Sequence, residues 1–163
     1  MNIRIEENGD LKIDEIDEFA AMLLRELPGI ANSRDEQANE RIYQTPTGGK
    51  DDEIDSDWKD IVEPELRELF ASALDFVVED LAGLKTEATT GLGIHIPAAH
   101  GEPWIHTLTR ARLVLGAEWE VTEDDMESGF SHTNGDPERT MAIVKIDFYG
   151  MMLEFFIRLK WRN

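Results

Sequence analysis

The sequence predicts an α+β fold that is mainly α: about four principal helices packed together with a small antiparallel β-sheet formed largely by an N-terminal hairpin. Three observations lead there. Apolar and polar residues alternate over 2–13, apolar residues recur at helical spacing in later segments, and Asn8-Gly9, Pro28-Gly29 and Asp136-Pro137 punctuate the chain.

In the first segment, NIRIEENGDLKI, residues Ile3, Ile5, Leu11 and Ile13 share faces across a hairpin whose turn uses Asn8-Gly9. The period then changes. Ile16, Phe19, Ala20, Leu23, Leu24 and Leu27 follow the i, i+3, i+4, i+7 rule, so a helix is expected to run until Pro28-Gly29. Residues 30–57 are polar, contain a Thr-Pro-Thr-Gly-Gly cluster and turn acidic. They are expected to form a long, mobile loop with a short helix around Asp35–Ile42 and Tyr43 as its anchor into the core.

Trp58 and Ile61 open a helical turn, and Pro64 suits the first position of a longer helix, where its missing N–H goes unneeded. Leu66, Leu69, Phe70, Ala73, Leu74, Val77, Val78 and Leu81 form its apolar face, with Glu68, Ser72, Asp75 and Glu79 opposite and Asp80 at the apolar edge. Leu92, Ile94 and Ile96 alternate in a short strand closed by Pro97, which can join the hairpin. A helix over 102–118 follows. Thr122 and Asp125 then have capping-box spacing, and a turn-rich stretch at 128–135 leads to Asp136-Pro137, an N-cap with proline at the first helical position. The last helix, from Pro137 to Trp161, is apolar except for a narrow stripe of Asp147, Gly150, Glu154 and Arg158, together with Lys145. Such a helix is either central to the domain or covered by a partner, a second copy included. With no repeat and no compositional boundary, residues 1–163 read as one domain.

Bulk charge narrows the function. Thirty-five acidic side chains stand against 16 basic ones, a net charge of −19, and a field of that sign repels nucleic-acid phosphates and anionic lipid. With no cysteine, disulfides, thiolate metal sites and cysteine nucleophiles are excluded. Neither a signal-peptide core nor a run of about 18 apolar residues is present, so the protein is expected in the cytoplasm, away from membranes.

The most informative stretch is Glu102–Asp125, EPWIHTLTRARLVLGAEWEVTEDD. On an ideal wheel Arg112 falls among Trp104, Ile105, Leu108, Leu115 and Trp119, on the packing face. A buried guanidinium needs a carboxylate. Asp80 and Asp147 are the candidates for a structural ion pair with it; a cleft holding an anion is the competing reading. His106 and Arg110 lie roughly opposite, alongside Leu113, as a possible interaction surface. His95, His100 and His106 are weak metal candidates, because their spacing matches no compact zinc pattern. The acidic run Asp51–Asp60 lacks the glycine and the twelfth-position glutamate of a calcium loop and reads as a solvated entry to a helix. No nucleophile elbow, phosphate-cradling loop or zinc-protease motif occurs, and no cofactor is implied.

The pattern Trp104-Ile105-x-x-Leu108-x-x-x-Arg112-Leu113-x-Leu115-Gly116, followed by Val121-Thr122-Glu123-Asp124, resembles the bacterial DUF2017 family. Arg41-Ile42-Tyr43, Pro46, Asp51-Asp52 and Tyr149 in the closing helix extend the likeness. Where the family favours Asn-Asp this chain has Thr109-Arg110, and it lacks the cysteines through which some members are thought to sense redox state. Family members often lie beside an adaptor of the Clp protease in their genomes. The resemblance therefore implies a non-enzymatic protein acting through protein contacts in regulation or protein turnover. Two alternatives stand beside it. One is a ligand- or metal-binding domain, or enzyme, using a cleft near Arg112, the histidines and the acidic loop; the other is a homodimer formed through the last helix.

Overall fold

A computed structural model describes residues 1–87, 91–127 and 136–160; the expected turn-rich stretch at 128–135 and the expected helix end at Trp161 lie outside them. Four strands form one antiparallel sheet: β1 (Asn2–Ile5), β2 (Leu11–Ile16), β3 (Lys85–Glu87) and β4 (Gly91–Ile96), in the order β1-β2-β4-β3. The hairpin register pairs Ile3 with Ile13 and Ile5 with Leu11. β4 continues it, with Ile96 opposite Leu11 and Ile94 opposite Ile13. Leu11, Ile13, Ile94 and Ile96 are buried, so this face of the sheet closes the core, as the alternation requires.

The turn is a three-residue loop: the Gly9 N–H donates to the Glu6 carbonyl at 3.0 Å and the Glu6 N–H to the Asp10 carbonyl at 2.8 Å. Gly9 sits at φ +87°, where a side chain would be strained. Beyond Ile13 the β2 register shifts at a bulge, with Glu15 at φ +54°. The shift buries Asp14, which pairs with Arg4. β3 is a short edge strand that alternation does not reveal.

Seven α-helices are described: α1 (Glu18–Ala31), α2 (Glu36–Ile42), α3 (Asp52–Asp57), α4 (Glu63–Ala82), α5 (Gly101–Glu118), α6 (Glu123–Glu127) and α7 (Pro137–Lys160). Asp17 caps α1 by accepting the Ala20 N–H at 2.7 Å. This helix runs past Pro28, where the sequence places its end, because its last turn is held from outside: Ala31 is buried and its carbonyl accepts a hydrogen bond from Arg110 Nε. Tertiary contact has overridden the local signal.

The segment expected as a mobile loop over 30–57 contains α2, where the short helix was expected, and α3. Tyr43 is buried, as its anchoring role requires. The Thr-Pro-Thr-Gly-Gly turn is tied to α3 by Asp55, whose carboxylate accepts the Thr47 N–H at 3.1 Å and the Gly49 N–H at 2.7 Å. Residues 52–57 are helical, which excludes the calcium-loop reading of that run. A π-helical turn, Trp58–Val62, leads directly into α4.

α5 is the hub, packing against α7, α4, α1 and α2. Trp104, Leu108, Ala111 and Leu115 are buried in the main core with Leu23, Leu24 and Leu27 of α1 and Ile146, Tyr149 and Met152 of α7. Full burial of each large side chain contributes about 1.5–3 kcal/mol before entropy is counted. α7 is asymmetric. Ala142, Ile143, Ile146, Tyr149, Met152 and Phe156 are buried, whereas Asp147, Met151, Glu154, Ile157 and Arg158 face solvent. No described helix is long and apolar enough to cross a membrane.

Candidate interaction surface

The two arginines of α5 are partly buried against neighbouring helices, whereas Glu102 and Glu118 are exposed. Arg110, expected on an open surface with His106 and Leu113, is half-buried: Nε donates to the Ala31 carbonyl, Nη1 to the Tyr43 hydroxyl, and the guanidinium lies over Phe70 of α4 at 5.1 Å. His106 is half-buried edge-on to Phe70, with ring centroids 6.3 Å apart. Only Leu113 of the three is exposed. An isolated wheel cannot foresee this, because α2, Tyr43 and α4 cover the back of α5.

Arg112 lies on the packing side, as the wheel indicates, but its contact is glycine. A Cβ added to Gly150 would stand 3.4 Å from Arg112 Cζ and Nε, so the guanidinium rests directly on the backbone of α7. Arg112 Nε is buried without a hydrogen-bond acceptor, and among the described residues Arg112 forms no ion pair. The acids expected to meet it are elsewhere. Asp147 is exposed. Asp80 is buried and engaged at the foot of α5, where Trp104 Nε1 donates to Oδ2 at 2.8 Å and His100 Nδ1 lies 2.9 Å from Oδ1. Trp104 is fully buried and stacked on Phe156 at 5.4 Å, while Phe76 covers His100 at 4.7 Å. Asp80 therefore joins α4 to α5 through two ring nitrogens.

The inter-helix arginine–carboxylate clasp is formed by a different pair, Arg139 and Asp125. Arg139, in the first turn of α7, reaches Asp125 of α6 with Nη1 to Oδ1 at 3.0 Å and Nη2 to Oδ2 at 2.7 Å. Thr122 closes the expected capping box, its N–H donating to Asp125 Oδ2 at 2.8 Å. The Arg139 guanidinium, then the Thr122 donors, hold the Asp125 carboxyl far below the usual carboxylate range. The signal was available: a capping-box acid and a basic residue in the next helix.

The parts of the expected ligand cleft are not gathered in one place. A 310 Å³ cleft beside Arg112 is lined by Thr109, Leu113, Gly116, Val121 and Met126 among others, and none of the candidate histidines borders it. His95 is on the outer face of the sheet, His100 is under α4, and the acidic residues from Asp51 form α3 and its cap. His95, His100 and His106 thus sit in three separate environments.

The distinctive exposed feature is on α4. Its buried side chains are only Ala73, Val77 and Asp80, with Leu66, Phe70, Leu74 and Leu81 half-buried. Val62, at the end of the π-helical turn, and Leu69 and Phe76 of α4 are seven residues apart and remain 43%, 44% and 43% exposed. At about 100° per residue they occupy roughly 40° of arc and repeat about every 10 Å along the axis. Exposed Glu65, Glu68, Asp75 and Glu79 border them on the side away from the core, and Ile61 extends the apolar end.

No curated protein and no solved structure matches the chain. A family model, described as a domain of unknown function, matches residues 8–159. With the match covering nearly the whole fold, from the hairpin turn through α7, the chain belongs to the DUF2017 family.

Proposed function

We propose that this protein works without catalysis, through protein–protein contacts in regulation or protein turnover, by docking a basic amphipathic helix of a partner along α4. The observation that carries this reading is the heptad-spaced stripe of Val62, Leu69 and Phe76 with its acidic border. Apolar residues at two-turn spacing offer a facing amphipathic helix one apolar anchor point every two turns. The border selects the partner's charge. Glu65, Glu68, Asp75 and Glu79, on a chain of net charge −19, attract lysine and arginine flanking the partner's apolar seam. The same border opposes a second copy, whose α4 would bring a like-charged edge against it.

The test is a binding titration with two designed helical peptides sharing leucines at the seam positions, one flanked by lysine and the other by glutamate. The lysine peptide is expected to saturate one site per chain, with affinity falling as salt rises, and the glutamate peptide to bind at least tenfold more weakly. Equal binding of both peptides, or no binding of either, overturns the proposal. Light scattering in the same buffer is expected to give a monomer; a dimer abolished by Leu69→Ser would place a second copy on the stripe instead.

A further inference from the structure

We infer that Glu6, Asp10 and His95 form a zinc-binding site on the outer face of the sheet, clipping the β1–β2 hairpin to β4. The strand pattern brings the three together. With Leu11 and Ile13 turned into the core, Asp10 and Lys12 face outward; with Ile94 and Ile96 inward, His95 faces outward too, opposite Lys12. Glu6 and Asp10 close the turn across from one another, so their side chains emerge at the same end of the hairpin.

The donor set and its spacing fit a metal. His95 Nε2 lies 3.0 Å from Asp10 Oδ2 and 3.6 Å from Glu6 Oε2, and all three ligand atoms fall within 4.8 Å of one another. Zinc bonds of 2.0–2.2 Å in a tetrahedron separate neighbouring ligands by about 3.4 Å, between the two observed distances. One imidazole and two carboxylates leave the fourth position to water, which the exposure of Glu6 and His95 supplies. The Asp10 carboxylate is already oriented: Oδ1 accepts the Ala98 N–H at 2.9 Å and Oδ2 the Asn8 side-chain amide at 2.8 Å. Such outer hydrogen bonds fix a ligand before metal arrives. Lys12, the nearest cation in the register, has its ammonium 3.6 Å from Asp14 Oδ1. The two carboxylates place negative charge at the cluster that a divalent ion neutralises. The imidazole separates zinc from magnesium or calcium, which prefer all-oxygen sites.

The experiment is calorimetric titration of the full chain with zinc chloride at neutral pH and enough salt to screen the general negative field. One zinc per chain is expected, with His95→Gln and, separately, Glu6→Gln each weakening binding at least tenfold. Both variants remove ligands from exposed positions, and circular dichroism checks that each is folded. His106→Gln is expected to bind as wild type does. Absence of a one-to-one isotherm, or unchanged binding in both His95→Gln and Glu6→Gln, overturns the site.

Discussion

Arg139 grips Asp125 with two parallel hydrogen bonds, 3.0 Å and 2.7 Å long, and so fixes the start of α7 against α6. Asp125 is 5% exposed and its carboxylate also closes the Thr122 cap, so one side chain serves the helix start and the helix–helix joint. Asp125→Asn keeps the shape but loses the charge that the guanidinium faces. It is expected to lower Tm by on the order of 5 °C or more, and Arg139→Gln similarly, with the double variant short of additive. Thermal melts of the three variants check this.

The same pair sets an acid limit. The folded carboxyl titrates well below its unfolded value of about 3.9. Its contribution is therefore present above that unfolded value and is lost as pH falls from about 4 toward the depressed folded value. Denaturation followed from pH 6 to pH 2 is expected to show a shallower acid loss in Arg139→Gln than in wild type.

Gly150 offers a prediction of opposite sign. Its missing Cβ would meet Arg112 at 3.4 Å, an ordinary contact, and glycine inside a helix costs about 1 kcal/mol relative to alanine. Gly150→Ala is expected to leave stability unchanged or raise it by up to about 1 kcal/mol. Gly150→Phe displaces the guanidinium and is expected to destabilise by about 1–3 kcal/mol. Urea melts distinguish the two.

Tyr149 ties α7 to α1, its hydroxyl donating to the Leu23 carbonyl at 2.8 Å inside the core. Burial, then the nearby Glu26 carboxylate, push its ionisation well above the ordinary tyrosine value. Stability from this group is held below the unfolded value of about 10 and declines as pH rises above it, where the unfolded chain ionises first. Tyr149→Phe removes this hydrogen bond while the Leu23 carbonyl keeps its place in the α1 ladder, and is expected to cost about 0.5–1.5 kcal/mol. Absorbance titration of the native protein is expected to show Tyr149 resisting ionisation until the fold opens.

Sequence patterning located the hairpin, the Ile96 strand, the short helix before Tyr43 and the four long helices, because each carries its signal in its own residues. It missed what depends on a neighbour. α1 outlasts Pro28 because Arg110 holds its last turn, and Arg110 itself left the surface because Tyr43 and Phe70 came to meet it. Asp80 was correctly placed at the apolar edge of α4, yet its donors are Trp104 and His100 rather than Arg112, since the foot of α5 faces it and Arg112 is two turns further along. The Arg139–Asp125 joint was hidden because a wheel ranks apolar faces, and Arg139 lies in a polar first turn. Of the α4 stripe, only Leu69 belongs to the packing face that periodicity indicates, and the structure leaves it and Val78 of that face exposed.

The proposal that α4 is a docking surface meets its most direct test in Val62→Ser/Leu69→Ser, which removes two of the three apolar anchors and leaves every charge in place. In anisotropy titrations with the lysine-flanked helical peptide, the double variant is expected to bind at least tenfold more weakly than wild type while its melting curve stays within a few degrees. Equal binding by wild type and double variant would show that the attraction is charge alone, and would contradict the account.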